Sequence, residues 1–183
     1  MKLPRALLAC AALTAACAAR PPRPAPPPSV SPRSPVHFVL DADSAARLTP
    51  EARDLVLGVL DDLCRRDLAA AYARFDARPA AEELEALGGD RARFVGEQLT
   101  LQPLADSYLG VAEGDEVARA ARVDYGWVLG RVERAVVIDV RPWDRQGSFV
   151  ARGVLTLAGG LHCRFGLFFE MRNGFPALVV ARG

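Results

Sequence analysis

Apolar and polar residues alternate with a period of two over the C-terminal part of the chain, as in strands that bury one face. Three runs show the pattern, at residues 136–143, 148–158 and 161–172. Asn173-Gly174 then gives the strongest short signal for a hairpin turn, and residues 175–180 predict a closing strand. This part of the chain therefore predicts an antiparallel meander.

The alternation also assigns side chains to the two faces of the predicted sheet. In the third run the apolar side consists of Cys163, Phe165, Leu167, Phe169 and Met171. The opposite side carries His162, Arg164, Phe168 and Glu170. In the first run the alternation separates Val136, Ile138 and Val140 from Val137, Asp139, Arg141 and Trp143. We expect the charged side chains of the strands, including Arg152, to share the face of His162.

Helical spacing of apolar residues precedes the strands. Thr49-Pro50-Glu51 combines a capping hydroxyl, a proline at the first helical position and an early acid, which is typical of a helix start. The apolar stripe that follows breaks at Arg65-Arg66-Asp67, where Asp67 is able to cap a second run. The pattern predicts a long amphipathic helix over residues 50–76 that bends at the break.

Two shorter helices are predicted next. Pro79 begins one, and Gly88-Gly89 ends it. Asp90 caps the other, which runs to Leu99.

Residues 115–130 allow two interpretations. Asp115 could cap a helix that ends near Val128, or the segment could enter the first strand near Tyr125; the helix is favoured. Helices followed by an antiparallel meander predict an α+β fold, with the N-terminal helices packed on one face of a C-terminal antiparallel sheet.

The first 16 residues have the pattern of a secretory signal peptide. Lys2 and Arg5 precede an apolar, alanine-rich run over residues 6–16. This run has roughly 11 residues, whereas a membrane-spanning helix needs about 20. We therefore expect an export signal that is removed.

The segment Leu13-Thr14-Ala15-Ala16-Cys17 resembles the lipobox of bacterial lipoprotein precursors. The resemblance implies cleavage before Cys17, acylation of that cysteine by palmitate-like chains, and attachment to a lipid bilayer. Ala18 after the cysteine implies the outer membrane on its periplasmic side rather than the inner membrane. The alternative is an ordinary signal peptide cut around Ala15–Ala19. Cys10 is a weaker lipidation candidate because cleavage there would leave too short an apolar run.

Residues 17–35 predict a lipidated cysteine followed by a linker. Eight of the chain's 14 prolines lie in this segment, so it has few apolar side chains to bury and favours extended polyproline II. We expect a stalk that lifts the domain off the membrane; a ligand for a proline-binding module is the alternative. Arg20, Arg23 and Arg33 could contact anionic lipid.

Residues 36–183 have the length of one domain. Of the chain's 23 basic residues five precede position 36, which leaves 18 arginines against 22 acidic residues and a net charge of −4. A nucleic-acid-binding protein should instead carry a basic patch, so we expect no nucleic-acid partner. The sequence has no glycine fingerprint, P-loop or paired histidines, and predicts no cofactor and no metal.

Two cysteines fall within the domain. Export to an oxidising compartment would allow Cys64 and Cys163 to form a disulfide. The alternative is that both are small buried apolar residues.

The helix 67–75 and the hairpin 166–176 together resemble the nuclear transport factor 2-like superfamily of cystatin-like α+β domains. The resemblance covers about residues 50–182, and Phe175 stands where members often have tryptophan. It implies a curved sheet that wraps the helices into a cone. Some members are isomerases or dehydratases that act by acid–base catalysis.

Candidate chemistry falls on the charged sheet face. His162 could act as an acid–base catalyst with Asp139 or Glu170 in a cone pocket. The alternative is a solvated face of cross-strand charge pairs.

Aromatic residues among those charges favour a partly covered surface. Phe168, Trp143 and Arg164 are the candidate binding residues. The sequence thus favours a membrane-anchored envelope lipoprotein whose domain binds a small ligand or another envelope protein, with a small isomerase-like enzyme as the alternative.

Overall fold

The computed structural model describes residues 34–103, 123–144 and 146–180. The predicted signal peptide, Cys17, the linker up to Arg33 and Asp115 lie outside these residues. The described residues belong to one compact unit. Within the described residues the helices are α1 Ala42–Arg47, α2 Pro50–Cys64, α3 Leu68–Ala73, α4 Ala77–Ala86, α5 Arg91–Gln98 and α6 Tyr125–Leu129. The strands are β1 Val36–Phe38, β2 Gln102–Pro103, β3 Val132–Pro142, β4 Ser148–Leu157, β5 His162–Arg172 and β6 Phe175–Leu178.

Side-chain caps start the helices where the sequence predicts them. The Thr49 hydroxyl accepts a hydrogen bond from the Ala52 amide at 3.3 Å, and Pro50 follows it. Asp67 and Asp90 cap α3 and α5 in the same way. Each cap satisfies an amide that has no partner within the helix, and this local chemistry confirms three predicted helix starts.

The single helix predicted over residues 50–76 is wrong. Helix α2 ends at Cys64, and Arg66 adopts a left-handed conformation with φ of 62°. The Asp67 amide donates back to the Asp62 carbonyl, and the Asp67 side chain starts α3. A left-handed residue cannot continue a right-handed helix, so the break is a turn rather than a bend.

The sheet is mixed rather than antiparallel. Strands β3, β4, β5 and β6 form the predicted meander, but β1 pairs with β3 in parallel, and β2 pairs with the start of β5. The two additional strands have only three and two residues, too short to show alternation. The prediction of α+β is confirmed, with helices packed on a curled sheet of six strands.

A β-bulge in β3 overturns the faces predicted for that strand. Val137 pairs with Gly153 and Asp139 pairs with Arg152, so Ile138 is an extra residue without a partner on β4. Val137 and Val140 are consequently both buried, whereas Ile138 is 50% exposed. The alternation predicted for β5 is confirmed, because Cys163, Phe165, Leu167 and Phe169 are buried.

The turn from β5 to β6 forms as predicted. Asn173 and Gly174 have φ values of 52° and 84°, the left-handed pair that a two-residue hairpin of this type requires. Strand β6 then pairs with β5 and ends at Leu178.

The hydrophobic core lies between the helices and one face of the sheet, here named the inner face. Helix α2 contributes Val56, Val59, Leu60 and Leu63, and α5 contributes Phe94 and Val95. The Phe94 ring packs edge-on against the rings of Tyr72 and Phe75, each at 5.2 Å between centroids. Among the described residues, this core extends from Val36 to Leu178.

The disulfide that the sequence allowed is not formed, because Cys64 and Cys163 are both free thiols. Helix α2, which ends at Cys64, packs mainly against α3, β3 and β6. Cys163 lies near the start of β5, beside β2. Its Sγ is 3.4 Å from the Gln102 carbonyl oxygen. Burial raises the pKa of each thiol to about 11, so both are protonated and weakly nucleophilic at neutral pH.

Candidate functional site

A groove of about 510 Å³ lies on the sheet face that points away from the core. We call this face the outer face and the cavity the outer groove. Its apolar lining includes Ile138, Trp143, Val150, Val154 and Phe168.

Strand register brings the groove residues together. Val154 pairs with Arg164, and Val150 pairs with Phe168. Directly paired residues of antiparallel strands project to the same face, so these four side chains share the outer face. Arg152 lies between the two valines on β4 and pairs with Gly166. Both arginines line the groove.

An aromatic pair forms one wall of the outer groove. The centroids of the Trp143 and Phe168 rings are 4.4 Å apart, and the ring planes are tilted by 55°. Trp143 is nevertheless 41% exposed, so one side of the pair is open. Such a wall offers a large apolar contact area to a ligand.

A glycine forms part of the groove floor. A Cβ at Gly166 would lie 2.9 Å from the Thr100 hydroxyl oxygen and 3.3 Å from a methyl of Val150. The Thr100 hydroxyl donates to the Gly166 carbonyl at 3.3 Å. The absent side chain therefore lets the segment before β2 approach β5 closely, and Thr100 and Gln102 reach the groove.

Asp139 holds Arg152 from the neighbouring strand. Its carboxylate accepts from Arg152, lies 2.6 Å from the Arg141 Nε, and accepts from the Ser44 hydroxyl at 3.2 Å. Burial opposes ionisation of this carboxyl, but the hydrogen bond and charge of Arg152, the charge of Arg141 and the Ser44 hydroxyl outweigh burial and lower its pKa. Asp139 is therefore an ionised structural partner of Arg152 at neutral pH.

The Asp139→Asn variant is expected to be less stable than the parent by about 1–2 kcal/mol at neutral pH, because it loses charge-assisted hydrogen bonds. The folded pKa of Asp139 is lowered, so its contribution is present above the unfolded value near 4 and is lost as the pH falls through the folded value. Urea unfolding of both proteins between pH 7 and pH 3 should show the difference shrink below about pH 4. Asp43→Asn, at an 85% exposed carboxylate, is the control. A difference independent of pH would contradict the assignment.

Arg164 has no ion pair within the part of the chain that the structure describes, and its side chain is exposed. Among the described residues that line the outer groove there is no Asp or Glu. Two guanidinium groups thus face the groove, and of these two only Arg152 has a carboxylate partner within the described part of the chain.

The three catalytic candidates from the sequence do not meet. His162 pairs with Thr156 of β4, and the Thr156 hydroxyl oxygen is 3.4 Å from the His162 Nδ1. Along β5, His162 is four residues away from the row of paired residues that contains Asp139. That separation is about 13 Å along the strand, and Glu170 lies about 26 Å from His162 by the same measure. Glu170 instead forms an ion pair with Arg172. The Arg172 guanidinium also lies 3.0 Å from the Asp76 carboxylate.

The three binding candidates do meet. Trp143, Phe168 and Arg164 all line the outer groove. Sequence reasoning missed the contributions of Thr100, Gln102 and Gly166. A glycine inside an alternating strand was the available signal, because it often marks a close approach of the backbone.

Residues 34–103, 123–144 and 146–180 contain no group of three or more His, Cys, Asp or Glu side chains that could hold a metal ion. They also contain no helix long and apolar enough to cross a membrane.

Comparison with known proteins gives no relative. The chain matches no protein-family model, no curated protein and no solved structure.

Proposed function

We propose that this chain is an exported lipoprotein, anchored through acylated Cys17 and facing the periplasm, whose domain binds a small ligand in the outer groove. The signal-peptide pattern and the lipobox resemblance support the anchor. The Trp143–Phe168 wall beside the Gly166 floor supports the binding role.

Size and lining favour a small ligand over a protein partner. Ligand sites in proteins are concave, have volumes of about 300–1,000 Å³, and are mostly apolar with a few polar groups. The outer groove has about 510 Å³, an apolar wall and a small polar set from Thr100, Gln102 and the two arginines. His162, Asp139 and Glu170 do not form an acid–base pair with each other. Binding is therefore the function that the geometry supports best.

The anchor is tested by labelling. The full chain, produced in a Gram-negative host fed with radiolabelled palmitate, should incorporate the label, and the Cys17→Ser variant should lose it. Cys10→Ser is the matched control and should retain labelling, because Cys10 lies within the predicted signal peptide. Labelling that survives the Cys17→Ser change would contradict the proposed anchor.

Binding in the groove is tested with N-phenyl-1-naphthylamine, a neutral apolar dye that fluoresces when it leaves water. The protein used is residues 18–183 without lipid, because acyl chains would require detergent that could fill the groove. We expect saturable binding that Trp143→Ala weakens about tenfold, since one aromatic wall is worth about 1.4 kcal/mol. Phe175→Ala removes a 72% exposed aromatic outside the groove and should leave the dye affinity unchanged. Equal loss in both variants, or no saturable binding, would contradict the proposal.

A further inference from the structure

The arginines of the outer groove indicate the chemical class of its ligand. We propose that the groove binds a single-chain amphiphile with an anionic carboxylate head, which Arg164 holds while the apolar body lies against Trp143 and Phe168. This inference depends on the proposed binding function and adds the charge and shape of the ligand to it.

The charge of the groove is opposite to that of the domain. Residues 36–183 carry a net charge of −4, from 18 arginines and 22 acidic residues. The described residues that line the groove nevertheless include two arginines and no carboxylate. A local excess of cations in an acidic domain attracts an anion and disfavours a cationic ligand.

Arg164 is the guanidinium that is available to a ligand. Arg152 already donates to Asp139, and its Nε is buried without a hydrogen-bond partner in the described part of the chain. Arg164, in contrast, is exposed and has no carboxylate partner among the described residues. A guanidinium presents parallel N–H groups that match the two oxygens of a carboxylate.

Neighbouring polar groups continue the proposed head site. Arg152 and Arg164 are diagonal neighbours on β4 and β5, a relation that places them about 7–8 Å apart on one face. Gln102 pairs with Arg164 across β2 and β5 and also lines the groove. An anion beside Arg164 would therefore also be attracted to Arg152, whose charge Asp139 only partly offsets.

The apolar lining extends from this head site along the sheet. In the register of β4 and β5, Gln102 lies at one end of the groove. The opposite end contains Val150, Phe168 and Trp143. Such a strip beside a charged end suits a molecule with one polar head and one apolar chain. The volume of about 510 Å³ suits one chain, and two-chain phospholipids are larger than this groove.

The test uses decanoate and decanol, which share the apolar chain and differ in the charge of the head. Calorimetric titration of unlipidated residues 18–183 should show decanoate binding at least about tenfold more tightly than decanol. Arg164→Gln should weaken the affinity for decanoate about tenfold, as expected for loss of one charge-assisted hydrogen bond. The same change should alter the affinity for decanol by no more than about twofold. Arg134→Gln is the matched control, because Arg134 is exposed, pairs with Thr156 on the same sheet face, and does not line the groove.

Each other outcome identifies a different failure. Equal affinity for decanoate and decanol, independent of Arg164, would overturn the anionic head and leave the proposed binding function standing. Equal weakening by the Arg164 and Arg134 changes would overturn the specific site, because the attraction would then be a general surface effect. Loss of binding to both compounds and to the neutral dye would overturn the binding function itself. Sedimentation with phosphatidylglycerol vesicles that depends on Arg164, without decanoate binding, would assign the groove to a lipid surface and overturn the free carboxylate.

Discussion

Replacing Gly153 with alanine is expected to lower the free energy of unfolding by about 3 kcal/mol, because this position has no room for a side chain. A Cβ there would overlap the Val136 carbonyl oxygen on β3 and lie 2.7 Å from the ring of Phe165. The backbone of β3 belongs to a paired strand, and Phe165 is only 3% exposed. Relief therefore requires separation of β3 from β4 or displacement of a core ring.

Urea unfolding of Gly153→Ala beside the parent protein measures this effect. Gly126→Ala is the control, because the nearest atom to its added Cβ, the Asp124 carboxylate oxygen, lies at an ordinary 3.5 Å. That change should be neutral or slightly stabilising, since alanine favours helices more than glycine by up to about 1 kcal/mol. If Gly153→Ala is as stable as the parent, the close packing of β3, β4 and Phe165 is wrong.

The second large effect is expected at the ion pair between α2 and the end of α3. The Nε of Arg74 lies 2.5 Å from the Asp62 carboxylate, and Asp62 is 6% exposed. A Cβ at Gly58 would collide with the Arg74 guanidinium, so this glycine provides the space in which the ion pair forms. Arg74→Ala leaves a buried carboxylate without its cation and should cost about 2–3 kcal/mol, below the full value for a deeply buried pair because Arg74 is partly exposed.

Thermal or urea unfolding checks this prediction against Arg78→Ala. Arg78 makes an ion pair with Glu82 at 3.2 Å, but its side chain is 90% exposed. Exposed pairs within one helix contribute about 0.3–0.5 kcal/mol, so the control should change stability little. Asp62→Asn combined with Arg74→Ala should be less destabilised than the sum of the single changes. Equal effects of Arg74→Ala and Arg78→Ala would show that burial of Asp62 is not important.

Local chemistry made most of the fold predictable from the sequence. The caps at Thr49, Asp67 and Asp90 and the turn at Asn173-Gly174 depend on a few adjacent residues, and each is confirmed. The break at Arg66 was visible only as an interruption, because the sequence shows where a stripe stops but not which residue becomes left-handed. The resemblance to nuclear transport factor 2-like domains stays a prediction.

Contacts between distant segments were not predictable. The parallel pairing of β1 with β3 joins residues about a hundred positions apart, and three residues of β1 are too few to show a period. The bulge at Ile138 shifts the alternation of β3 by one residue. On one side of the bulge, every side chain therefore points to the sheet face opposite to the one that strict alternation assigns. Ile138 therefore contributes to the outer groove beside Trp143, although strict alternation puts them on opposite faces.

The candidate site was predictable where a strand remained regular. Alternation within β5 assigned Arg164 and Phe168 to the outer face, and the structure has both there. It could not supply Thr100 and Gln102, which reach the groove from a segment more than sixty residues earlier. The alternation pattern also could not show that His162 lies outside the groove, because residues on the same face of a strand can still be far apart along it.

The most direct test of the central claim is to map ligand contacts by NMR. Titration of residues 18–183 with decanoate should shift the indole resonance of Trp143 and the methyl resonances of Val150 and Val154, all of which line the outer groove. The indole resonance of Trp127, which lies on α6 and packs under Arg131, should remain unchanged. Shifts centred on His162 or on Trp127, or shifts spread evenly over the surface, would contradict a binding site in the outer groove.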